Sequence, residues 1–213
     1  EFDAVAVDEH FAPSRDGLQP AVCDTCYYAL RGRDRVPDRV LTTYGKVFRH
    51  ENSATGTLDR LPVFTVRDIM AVGREDFVRA RLDELASDLR VFLEDFGFDA
   101  RIEAADDPFF AGDAALKIRF QAAAELKQEL RARIPYQDGT IAIGSINRHL
   151  DHFGRAFEVT ASDGSPLHSG CIGIGFERAT FALFCQYGPD TDAWPDALRR
   201  RLRLDVPAEE MPL

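Results

Sequence analysis

Long apolar runs are missing from this sequence: no stretch comes near the roughly 18–20 residues that a membrane-spanning helix needs, and no charged-then-apolar leader opens the chain. Cysteine is scarce as well. The four residues, Cys23, Cys26, Cys171 and Cys185, are unevenly spaced, which excludes a disulfide framework and leaves free thiols available as metal ligands in an expected reducing cytoplasm. Positive charge is short, with 26 Lys+Arg against 36 Asp+Glu and a net charge of -10, so the surface as a whole repels a polyanion and tRNA is disfavoured as a partner. An acidic protein partner would equally need a local basic patch, for which Arg31, Arg33 and Arg35, or Arg199, Arg200, Arg201 and Arg203, are the available runs. Repeats, low-complexity tracts and long linkers are absent, and Gly and Pro fall singly between periodic segments. With 213 residues the chain is expected to form one domain over 1–213, too short for a separate tRNA-reading module. It opens on Glu1 rather than methionine and is expected to be a trimmed chain.

What is present is a clear alternation of patterns. A short helix is expected from about Asp24 to Arg31. Strands over Lys46–Glu51 and Leu61–Met70 flank a Gly- and Ser-containing stretch, Asn52 to Asp59, as an antiparallel hairpin. The strongest helix runs from Arg74 to Phe96, where Val78, Leu82, Leu85, Leu89, Phe92, Leu93 and Phe96 recur at helical spacing. Strands are then expected over Asp99–Ala104, Leu116–Phe120, Leu126–Ile134 and Thr140–Asn147. A hairpin from Phe157 to Thr160, turned at Asp163-Gly164, precedes a strand Cys171–Gly175 that enters a helix from Phe176 to about Tyr187. Helices segregated from a mostly antiparallel sheet give an α+β class.

Two constellations carry chemistry. In the first, Arg49, His50 and Glu51 on one strand face Arg60, Phe64, Arg67 and Asp68 on the next. Guanidinium forks match phosphate oxygens bidentately, and an aromatic ring between them offers a face to a base. In the second, Gly173-Ile174-Gly175-Phe176-Glu177-Arg178 takes a strand into a helix, with glycines that let backbone approach a ligand and an arginine in the first turn. It is not a dinucleotide fingerprint, because neither the third glycine nor a βαβ unit is present.

Together the two resemble motifs 2 and 3 of class II aminoacyl-tRNA synthetases. Ser145-Ile146-Asn147-Arg148-His149-Leu150-Asp151-His152-Phe153-Gly154, with Ser169-Gly170-Cys171 before motif 3, is similar to the amino acid:[carrier protein] ligases and the methanogen-type seryl-tRNA synthetases. Asp107-Pro108-Phe109-Phe110, Lys127-Gln128-Glu129-Leu130 and Gly188 through Trp194-Pro195 extend the likeness from about Leu18 to Arg200. Motif 1 is not recognisable, and no acid stands at Ile141, Ala142 or Ile143 where many synthetases hold magnesium, which leaves Mg2+ to Glu129, Asp138 or the phosphates.

The resemblance implies a class II antiparallel sheet flanked by helices. It implies ATP bound by Arg49, Arg60, Phe64, Glu177 and Arg178, with Arg49 on the α-phosphate, Phe64 stacked on adenine and Arg178 near the γ-phosphate. It implies substrate contacts from Asn147, His149, Asp151 and Glu51, and zinc held by Cys23, Glu51 and Cys171, with Cys26 as the alternative to Cys23. Three protein ligands and one open position suit a catalytic zinc. The implied activity is adenylation of a small amino acid followed by transfer to the phosphopantetheine thiol of a carrier protein, by a homodimer. Transfer to tRNA or a peptide, and a non-catalytic paralogue that senses an amino acid or adenylate, are the rival readings.

Overall fold

A computed structural model describes residues 16–49, 58, 60–95, 97–105 and 126–204. The elements are α1 (Cys23–Leu30), β1 (Arg39–Phe48), β2 (Val63–Gly73), α2 (Glu75–Asp95), β3 (Ala100–Ala104), β4 (Lys127–Ile134), β5 (Gly139–Leu150), α3 (His152–Ala156), β6 (His168–Gly175), α4 (Phe176–Tyr187) and α5 (Asp196–Leu202). All six strands form one sheet in the order β1-β2-β6-β5-β4-β3, and every pairing is antiparallel. The expected α+β arrangement is the observed one. The expected hairpin exists, although β1 begins at Arg39, well before Lys46, because Val40, Leu41, Thr42 and Thr43 continue the pairing with Asp68–Ala71. The segment after Phe157 makes isolated bridges, Val36 with Ala161 and Thr160 with Pro166, rather than a strand. The expected strand over Leu116–Phe120 and the Asp107–Phe110 motif lie outside the described residues.

Strand alternation separates the two faces of this sheet. Ala71, Ile146 and Ile172 point one way and bury against Val78, Leu82 and Ala86 of α2. Each such Val or Leu contributes about 1.5–3 kcal/mol by leaving water. α2 can lie this close because Gly170 has no side chain: a Cβ there would collide with the Leu82 methyl and the Asn147 carbonyl. α4 extends the layer, with Ala182 packed among Leu130, Ile134 and Ile143. Among the described residues, the opposite face is covered at one end, by α1 and the 157–167 segment, through a core that includes Tyr27, Leu30, Met70, Val159 and Leu167. The rest of that face, from Phe64 to Glu129, lines a cavity. No helix among the described residues is long and apolar enough to cross a membrane.

Candidate active site

The cavity has a volume of about 300 Å³ and is walled by β2, β6, β5 and β4, with α1 and the start of α3 closing one end. Its residues follow from register. Asp68 pairs with Gly173, Met70 with Cys171, Gly173 with Ser145, Cys171 with Asn147, and Ser145 with Glu129, so one row of side chains crosses four strands on the same face.

At the closed end, Cys23 from α1, Asp68 from β2 and Cys171 from β6 bring their ligand atoms within 4.8 Å of one another, and all three residues are buried. Asp68 was not among the expected ligands; its place is explained by Gly173 opposite, where any Cβ would strike the carboxylate oxygen. Two of these groups, Cys23 and Asp68, resist ionisation. A hydrogen bond with Cys171, then burial, pushes the Cys23 thiol up, and burial pushes Asp68 up despite contacts with Cys23, His149 and Arg49 that work the other way. A metal ion would displace the protons that Cys23 and Asp68 hold. Two thiols and a carboxylate are a donor set that suits zinc. Cys26, the alternative to Cys23, is half-buried in the neighbouring core and is not a member of this group; Glu51 lies outside the described residues.

Beneath the thiols, the Tyr27 hydroxyl is 2.8 Å from His149 Nδ1, and His149 Nε2 is 3.9 Å from Cys171 Sγ. Burial lowers the His149 pKa to about 4, against the opposing pull of Asp68 and Asp24, so the imidazole is neutral at pH 7. Asn147 donates its amide N–H to Ser145 Oγ at 2.9 Å and to Cys171 Sγ at 3.7 Å. Asp151 stands apart from the cavity wall, its carboxylate 2.7 Å from Arg155 Nε.

At the open end, the buried Phe64 ring sits between two guanidinium groups, with Arg49 Cζ at 5.1 Å and Arg178 Cζ at 5.8 Å from its centroid. Arg49 Nε donates to the Pro20 carbonyl at 3.4 Å and Arg178 Nη1 to the Ala142 carbonyl at 3.3 Å, and both residues line the cavity. Glu177 accepts the Thr65 backbone N–H at 2.7 Å and the Thr65 hydroxyl at 2.8 Å, and pairs with Lys46 at 3.1 Å. Burial alone would raise its pKa; the Thr65 donors outweigh that and lower it. Glu177 thus ties the start of α4 to β2. Arg60 is exposed and outside the cavity wall, and Asp138 occupies the left-handed turn before β5 at φ 48°. Glu129 lines the cavity with its carboxylate between Arg131 at 2.7 Å and Lys127 at 3.6 Å.

No protein-family model matches the chain. Amino acid--[acyl-carrier-protein] ligase 2 of Bradyrhizobium diazoefficiens is 31% identical over 92% of this chain and 59% of its own length, and ligase 1 of the same organism is 31% identical over 88% and 57%. The type-2 serine--tRNA ligase of Methanopyrus kandleri is 27% identical over 87% of this chain and 37% of its own. The chain therefore spans under two thirds of the curated relatives it matches. Among solved structures, M. kandleri SerRS in complex with A. aeolicus tRNASec superposes with a TM-score of 0.79 over 97% of this chain and 42% of that one, at 23% identity. Seryl-tRNA synthetase from Pyrococcus horikoshii complexed with ATP gives a TM-score of 0.64 over 89% of this chain and 44% of that one, at 13% identity. The chain is a homologue of the amino acid--[acyl-carrier-protein] ligases and the type-2 serine--tRNA ligases, and it carries the class II synthetase fold.

Proposed function

We propose that the protein is an ATP-dependent amino acid ligase that forms an aminoacyl-adenylate from a small amino acid and passes the aminoacyl group to the phosphopantetheine thiol of a carrier protein. The observation that carries this reading is one cavity with a buried Cys–Asp–Cys cluster at one end and an aromatic ring between two arginines at the other. A bound zinc ion would be held by Cys23 and Cys171 with Asp68 or Glu51, and would supply a Lewis-acid seat for a free amino group.

The chain's own residues do the rest. Phe64 offers its ring to adenine. Arg49 binds the α-phosphate, Arg178 the γ-phosphate, and Arg60 reinforces the phosphate end once ATP is present; Glu177 keeps the strand-to-helix turn in place. Asn147 and Glu51 form the substrate end, while His149, engaged through both ring nitrogens, and Asp151, paired with Arg155 away from the cavity wall, stand behind it. Magnesium accompanies the phosphates. A carboxylate oxygen attacks the α-phosphorus, a new P–O bond forms, the bond to the bridging oxygen breaks and pyrophosphate leaves. The negative charge that grows in flight is met by guanidinium groups already in position. The carrier thiol then attacks the acyl carbon, a C–S bond replaces the C–O bond, AMP departs and the thiol proton passes to solvent.

A carrier protein is favoured over tRNA by the higher identity to the carrier-protein ligases and by the net charge of -10. The working form is a cytoplasmic homodimer with the catalytic domain spanning residues 1–213. Amino-acid-dependent ATP–pyrophosphate exchange on zinc-loaded protein, across a panel of amino acids, tests the reading: exchange with one or two small amino acids, lost in Cys171→Ala, is the expected result. Folded, metal-bound protein that exchanges with none would overturn it and bring the non-catalytic binding role forward.

A further inference from the structure

His149 is the extra residue of a β-bulge. The β5–β6 register shifts between Arg148, paired with Gly170, and Leu150, paired with Ser169, and Leu150 takes a left-handed φ of 53°. The imidazole, on the same strand face as Asn147, lies under the thiol cluster in a slot between Tyr27 and Phe153, with ring centroids 6.0 and 5.0 Å away in edge-on geometry. Tyr27 is itself fixed, fully buried and stacked on Phe153 at 4.1 Å. Both ring nitrogens of His149 are engaged inside the protein, Nδ1 with the Tyr27 hydroxyl and Nε2 with the Cys171 sulfur, which leaves neither for a substrate.

We infer that Tyr27 and His149 are positioning residues for Cys171, which together orient its sulfur toward the metal position; the inference rests on the proposed metal site. The hydrogen ledger fixes the direction. A sulfur that ligates a metal accepts hydrogen bonds, so in that state His149 Nε2 would donate to Cys171 and Nδ1 would accept from the Tyr27 O–H. The Asn147 amide is a second donor to the same sulfur, so two N–H groups on neighbouring positions of β5 converge on one ligand atom. Outer donors of this kind orient a ligand and draw charge off it.

The test compares wild type, Tyr27→Phe, His149→Phe, His149→Gln and Cys171→Ala for zinc affinity, by competition with a chromophoric chelator, and for the thiolate-to-metal charge-transfer band of the Co2+-loaded protein. Tyr27→Phe and His149→Phe should weaken zinc about 10- to 100-fold and move the band to lower energy, since a sulfur without its donors gives up charge more easily. His149→Gln, which keeps an amide N–H near the position of Nε2, should recover most of both. Unchanged affinity and band in Tyr27→Phe would overturn the inference even if His149→Phe fails to fold, because that variant removes one oxygen and keeps the stacked ring. Wild-type protein that binds neither metal, or binds both as well after Cys171→Ala, would instead bring down the metal reading, and this inference with it.

Discussion

The two ends of the cavity are built on opposite principles. The thiol end is buried, crowded and braced from beneath: Cys23, Asp68 and Cys171 are each under 10% exposed, and Tyr27, His149 and Asn147 support them through specific contacts. At the arginine end, Arg49 and Arg178 reach backbone carbonyls through long hydrogen bonds of 3.4 and 3.3 Å, and Arg49 is exposed among the described residues. A compact cation gains from a site whose geometry is fixed in advance, and burying acidic groups is the cost of that rigidity. A polyphosphate needs cations that remain hydrated and adjustable until it arrives, so their ordering cost falls at binding. The same sheet face supports both because, among the described residues, α1 and the 157–167 segment cover one end of it and leave the other to the cavity.

The comparison can be broken most sharply at the thiol end. Cys171→Ala should abolish both stoichiometric zinc binding, read by metal analysis, and pyrophosphate exchange. Arg178→Ala should lower kcat about 10²- to 10³-fold, the usual result of losing one donor to transition-state charge, while metal content stays unchanged; a loss of zinc in that variant would show that the ends are not independent. Gly173→Ala tests the seam between them. Its Cβ would press on the Asp68 carboxylate, so urea unfolding should report a loss of about 1–3 kcal/mol, together with weaker zinc binding.

The smallest effect is expected away from both ends, at Asp38, which accepts the Arg74 backbone N–H at 2.9 Å and Arg74 Nη2 at 2.7 Å where β2 runs into α2. Partial burial would raise the Asp38 pKa, but the Arg74 hydrogen bonds and charge outweigh it and lower it. Its stabilising contribution is therefore present at neutral pH and fades as pH falls below about 4. Asp38→Asn should cost about 1 kcal/mol at pH 7 and flatten that acid limb in thermal unfolding, leaving exchange and metal content as in wild type.

Much of this architecture was legible from periodicity. α2 and α4 lie within a residue of their expected limits, because apolar spacing over several turns admits one reading. β1 was harder: Arg39–Thr43 alternates weakly, and its pairing with β2 comes from the partner strand rather than from its own residues. At the site, the expected Cys23, Cys171, Phe64, Arg49 and Arg178 converge in one cavity. Asp68 carried no distinctive spacing, and only the cross-strand glycine reveals why a carboxylate fits there.

The order of the motifs, the acidic balance, the free thiols and the helical and strand periods are properties of the sequence by itself, and they were sufficient for the α+β class and for two of the buried donors. Which thiol of Cys23 and Cys26 turns toward Cys171, and that Asp68 joins them, depend on side-chain direction and on strands brought together across more than 100 residues. The role of His149 depends on Tyr27 and Cys171, which distant elements bring against its two ring nitrogens. A pattern records which face a residue favours; a one-residue shift of register, which only packing decides, sets what that residue meets.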